Sequence, residues 1–121
     1  MKWLVAAIII FNMNTCAAED LKFIDSTDDF GYFIDIDTVK LESDSVFSVN
    51  MVIIRVNVNQ MEVVNMQINP AEKYYNIKWT KTLSYDERTE IKSDSTPRGW
   101  KSYSEKSLMG DIVEMVLGNR E

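Results

Sequence analysis

Beyond the first twenty or so residues, apolar and polar side chains alternate with a period of two far more often than 3.6, the pattern of strands that bury one face. The clearest run sets Tyr75, Ile77, Trp79, Leu83 and Tyr85 on one face against Asn76, Lys78, Thr80, Thr82 and Ser84 on the other, with Lys81 breaking the apolar row. Lys81 is expected near the sheet rim, its stem over apolar surface and its ammonium in water. Upstream, Val64, Met66 and Ile68 alternate with Asn65, Gln67 and Asn69, and residues 70–73 supply a turn, which predicts two neighbouring antiparallel strands. Residues 46–58 change phase, from Phe47, Val49, Met51 and Ile53 to Ile54, Val56 and Val58. That change predicts a central strand with a bulge near Ile53, or one buried on both faces. Residues 21–25 and 32–36 are shorter strands around the turn-rich 26–31, and residues 89–92 are a weak last strand after a turn at 86–88.

The period then lengthens. Leu108, Ile112 and Met115 fall at helical spacing, with Met109, Val113 and Val116 as a second row beside them. Ser104 is the expected N-cap with Glu105 in the first turn, and Gly118 and Asn119 supply a C-terminal stop. So apolar a helix needs a sheet face to cover. The expected fold class is therefore α+β: a single antiparallel β-sheet of about five to six strands with a C-terminal α-helix packed on one face.

The amino terminus has a different logic, with Lys2, then an apolar run over residues 3–11, then small residues at 15–18. This is the order of a secretory signal, and the run is shorter than the ~20 residues a membrane span needs. Residues 1–18 are read as a signal peptide and 19–121 as a single domain, exported to the periplasm, cell envelope or cell surface. Cys16 leaves a second reading open, because bacterial lipoproteins are cut just before a cysteine that then carries lipid. Met13, Asn14 and Thr15 fit that signal poorly, so a membrane association is expected only if Cys16 is lipidated. In either case the mature domain has no disulfide and depends on packing.

Charge narrows the partners. The chain carries −6, and loss of Lys2 leaves 12 basic against 19 acidic side chains and a charge of −7. Such a domain repels phosphate backbones and anionic lipid, so nucleic acid is excluded as a partner class and a protein partner is expected. An exposed edge strand also offers homodimerisation by sheet extension.

The chain contains no histidine, and its only cysteine lies in the signal region, which removes Ser-His, Cys-His and thiolate-zinc chemistry from the domain. Paired carboxylates remain. Asp35 and Asp37 share the outer side of a strand, where solvated residues belong, and Asp25, Ser26, Asp28 and Asp29 lack the ligand series of a calcium loop. No catalytic residue, cofactor or metal is therefore assigned, and the expectation is a non-enzymatic protein. Tyr74, Trp100 and Tyr103 are the candidate protein-binding surface, with Trp100 alternatively filling the gap between helix and sheet, and Trp79 and Tyr85 in the core.

Three stretches have a familiar order: residues 32–39 (Tyr-Phe-Ile-Asp-Ile-Asp-Thr-Val), residues 75–86 from Tyr-Asn-Ile to Leu-Ser-Tyr-Asp, and Trp100 through Ser107 to Val116. In these the chain resembles the bacterial surface-adhesin protein E family of small exported proteins. The resemblance implies an antiparallel sheet with a packed terminal helix, residence in the envelope or at the cell surface, and adhesion to host matrix proteins without catalysis. Some members carry a cysteine after the strand that here ends at Asn69 and another near Leu117, both missing together in this chain. The alternative function is a periplasmic inhibitor of a basic enzyme such as lysozyme, which the size and acidity suit. Mass spectrometry of the exported protein is expected to find a first residue near Ala18 or Glu19; an N-terminal lipidated Cys16 would place the domain on a membrane instead.

Overall fold

The computed structural model describes residues 21–119; the expected signal peptide, residues 1–18 with Cys16, lies outside them. Strands β1 (Leu21–Thr27), β2 (Phe30–Leu41), β3 (Phe47–Arg55), β4 (Gln60–Asn69), β5 (Tyr74–Ser84) and β6 (Glu90–Asp94) pair in chain order, each antiparallel to the next. A two-residue strand β7 (Lys101–Ser102) pairs with the start of β5, on the far side of the sheet from β1, and the helix α1 (Leu108–Asn119) closes the chain. The α+β class and the single antiparallel sheet agree with the alternating pattern, and the sheet has seven strands where five to six were expected.

Local chemistry explains the meander. Four hairpin connections each contain one left-handed residue: Asp28, Asn59, Lys73 and Arg88. Asp and Asn take this conformation at little cost because their short side chains bond locally. Lys73 needs help from its surroundings, and its amide reaches Asn69 O at 2.8 Å while Asn69 Oδ1 accepts from Glu72 N at 3.1 Å.

The β3–β4 ladder runs without a shift from Phe47–Ile68 to Arg55–Gln60. Hence there is no bulge at Ile53. The phase change arises because β3 buries both faces, Phe47, Val49 and Met51 on one and Ser48 and Val52 on the other. Val56 and Val58 leave the strand altogether and lie exposed in a 3-10 turn.

The bulge is in β5. Asn65 pairs with Trp79 but its neighbour Met66 pairs with Ile77, so Lys78 is the extra residue. Everything after it changes sides. Tyr75 and Ile77 pack on the helix-covered core, whereas Trp79, Lys81 and Leu83 point to the reverse face and Thr80 and Thr82 replace them. Trp79 is thus not a core residue, and Lys81 interrupts nothing: on the reverse face it sits 5.9 Å from the Trp79 ring and 3.9 Å from the Glu90 carboxylate.

Helix α1 seals the core with Ile112 and Val116, both essentially inaccessible, against Ile34, Val49, Met66 and Ile68. Burying a side chain of this size stabilises by about 1.5–3 kcal/mol. Its cap is one turn later than the sequence suggested. Ser104 Oγ accepts from Lys106 N at 3.1 Å and shapes the preceding turn, while Ser107 Oγ faces Gly110 N at 3.4 Å and Ser107 O accepts from Asp111 N at 3.1 Å. Asp111 is then the acidic residue of the first turn, favourable to the helix dipole.

Gly110 lets the turn before the helix fold back, because a Cβ there would meet the Glu105 backbone, its Cα at 2.8 Å and its carbonyl nearer. Gly118 faces open space. Gly110→Ala is expected to cost about 1–3 kcal/mol in urea unfolding and Gly118→Ala to gain up to about 1 kcal/mol. Equal effects at the two positions would contradict this packing.

Candidate binding surface

The outer edge of β5 is shared. β6 pairs with its second half from Thr80 to Leu83, and β7 with Tyr74 and Tyr75 at its start. Between them the chain is tied down by Arg98 N to Ile77 O and by Gly99 N to Asn76 Oδ1, each at 3.0 Å. Gly99 has φ 89, a conformation glycine adopts without strain. Tyr103 N then donates to Lys73 O at 3.0 Å, and Lys73 Nζ lies 3.2 Å from Glu105.

This clamp sorts the three aromatic candidates. Tyr74, 45% exposed, lies opposite Ser102, and the register sets Trp100, 48% exposed, on the diagonal beside it. Tyr103 instead packs against the core cluster on the helix side. The structure therefore sets Tyr74 and Trp100 on one face of the sheet and Tyr103 on the other. Trp100 does not plug the gap between helix and sheet.

Behind the pair is a line of amides on the reverse face. Asn76 Nδ2 donates to Gln67 Oε1 at 3.1 Å, and Gln67 Nε2 donates to Glu42 Oε1 at 2.7 Å. A second rung joins Asn65 Nδ2 to Asn50 Oδ1 at 2.9 Å. Because Asn76 is buried and also takes the Gly99 amide, it couples the Trp100 segment to the middle of the sheet.

The carboxylates are differently disposed. Asp37 is exposed as expected, but Asp35 is buried, its Oδ1 accepting from Asp37 N at 3.2 Å. Asp35 belongs to a break in the β2–β3 ladder between Asp35 and Lys40. Across that break Thr38 Oγ1 donates to Asp35 O at 2.7 Å and accepts from Asn50 N at 2.8 Å, so the pair is a backbone staple. Asp25, Asp28 and Asp29 are exposed around the first hairpin, and among the described residues no three acidic, histidine or cysteine side chains gather as a metal site.

Two side chains titrate away from their usual range. Asp94 is held low by hydrogen bonds from the Thr96 backbone and hydroxyl, with Arg98 assisting. Burial pushes the Tyr103 hydroxyl up, with Lys73 opposing and Glu105 adding to the shift. Sequence reasoning passed over Arg55, Glu62, Thr80, Thr82, Lys92 and Arg98, which line open troughs on the helix side of the sheet. Spacing carried no signal for them, since the β5 bulge decides which way the threonines face.

No family model matches the chain, and no curated protein or solved structure shows significant similarity to it. The folded state holds the Tyr103 proton more tightly than the unfolded chain, so its contribution is intact below pH 10 and lost as pH rises above it. Tyr103→Phe is expected to flatten the alkaline limb of the stability profile while the profile near neutrality keeps its slope. An alkaline limb as steep as that of the parent would show that another group governs it.

Proposed function

We propose that this chain is an exported, non-enzymatic module of the bacterial envelope or cell surface that binds a protein through the Tyr74 and Trp100 surface. The observation that carries this reading is the placement of two half-exposed aromatic side chains on one face of a backbone held by Asn76 and β7. Aromatic anchors on rigid supports lose little conformational entropy on binding and recur as interface hot spots. The export-type amino terminus and the resemblance to the surface-adhesin protein E family support the same reading. Both point to a protein that meets partners outside the cytoplasm. The acidic exterior favours a partner with a basic face.

Purified matrix glycoproteins presented to the immobilised protein test it. Tyr74→Ala and Trp100→Ala are each expected to weaken binding by about 2 kcal/mol or more, with thermal unfolding unchanged because both rings are exposed. Unaltered affinity in the double variant would remove the surface from consideration.

A further inference from the structure

The reverse-face aromatic surface leaves the opposite side of the sheet unexplained. On that side α1 covers the rows that run through Phe47, Val49 and Met51, and the hairpin end beyond them changes character. There the residues facing the same way are Arg55, Gln60, Glu62, Thr80, Thr82, Lys92 and Asp94. They line two adjoining troughs of about 370 and about 340 Å3 that share Glu62 and Lys92, with Arg98 at one end and Ile91 at the other.

Three cations, Arg55, Lys92 and Arg98, face two carboxylates here, so the trough is locally positive on a strongly acidic protein. One of the carboxylates is already engaged, because Asp94 accepts from Thr96 N at 3.0 Å. Arg55 is held but not spent. Its guanidinium carbon stands 4.5 Å over the Phe30 ring, and its nearest Glu62 contact is 3.7 Å, well beyond the roughly 2.7–2.9 Å of a charge-assisted hydrogen bond. Its Nε is buried without a partner.

The neutral lining names the rest of the ligand. Buried Thr80 and Thr82 form the floor and Gln60 adds an amide, while exposed Ile91 offers an apolar flank. Hydroxyl and amide groups beside one apolar residue and a fixed cation match a ring that carries several hydroxyls and one carboxylate. We propose that this trough binds an acidic sugar of linked hexuronate units, whose separate carboxylates pair with Arg55 and Lys92 and whose hydroxyls meet Thr80, Thr82 and Glu62.

The trough lies on the other face from Tyr74 and Trp100, so this proposal is independent of the protein-binding reading. Amide-resolved NMR titration of the full exported protein with digalacturonate is expected to shift signals of β3, β4, β5 and β6 around these residues. Arg55→Gln and Lys92→Gln should each weaken binding about tenfold. Lys92 is exposed, which keeps its variant folded even if the Arg55 variant is not. Cellobiose, a neutral disaccharide, should bind far more weakly. Absence of shifts, equal binding of cellobiose, equal or tighter binding of acetyl-trialanine through its carboxylate, or undiminished affinity in Lys92→Gln would each overturn the proposal.

Discussion

One short helix must cover one face of a much larger sheet, and the rest of the molecule follows from that mismatch. Twelve residues of α1 extend about 18 Å, whereas the nine to twelve residues of β2, β3 and β5 extend about 30–40 Å. Ile112 and Val116 therefore seal only part of the sheet. Within their reach the strands present Ile34, Val49, Met66 and Ile68; beyond it the same strands present Arg55, Glu62, Thr80 and Thr82. The change in side-chain character along each strand is the solvent boundary written into the sequence.

The bulge at Lys78 serves the same boundary. Without it the alternation of β5 would carry Trp79 and Leu83 onto the uncovered part of the helix-side face, while Thr80 and Thr82 would turn to the reverse face. With it, two threonines floor the open trough, and Trp79 lies beside the Lys81 stem on the reverse face. The Asp35 to Thr38 staple makes a similar adjustment on the other side of the sheet. There the ladder between β2 and β3 is interrupted, and side-chain oxygens accept the Asp37 and Asn50 amides. Polar residues at irregular points of the sheet are thus explained by backbone accounting.

Both candidate surfaces are by-products of how strands end. The Tyr74 and Trp100 pair exists because β6 stops short of the start of β5, leaving an edge that the chain returns to cover as β7. The trough exists because β3 and β4 outrun the helix. Asn76 links the first surface to the sheet through its hydrogen bond to Gln67, which donates in turn to the Glu42 carboxylate, and this gives the two aromatics a firm base.

Alternation and turn chemistry alone were enough to place six of the strands, the hairpin turns and the final helix, because these depend on contacts between near neighbours in sequence, whereas the short β7 was not legible. Tyr74 was also legible as an exposed aromatic beside a turn, whereas the sequence left Trp100 between the surface and the gap under the helix. Only the tertiary structure decided which way β5 faces after Lys78, that Asp35 is buried, that Ser107 rather than Ser104 caps the helix, and that Tyr103 parts company with the other two aromatics. Apart from the cap, which hydrogen bonds within one turn set, each of these is a matter of register between segments distant in sequence. A shift of one residue in pairing exchanges the two faces of a strand without altering its hydropathy pattern, so no reading of one strand by itself contains the answer.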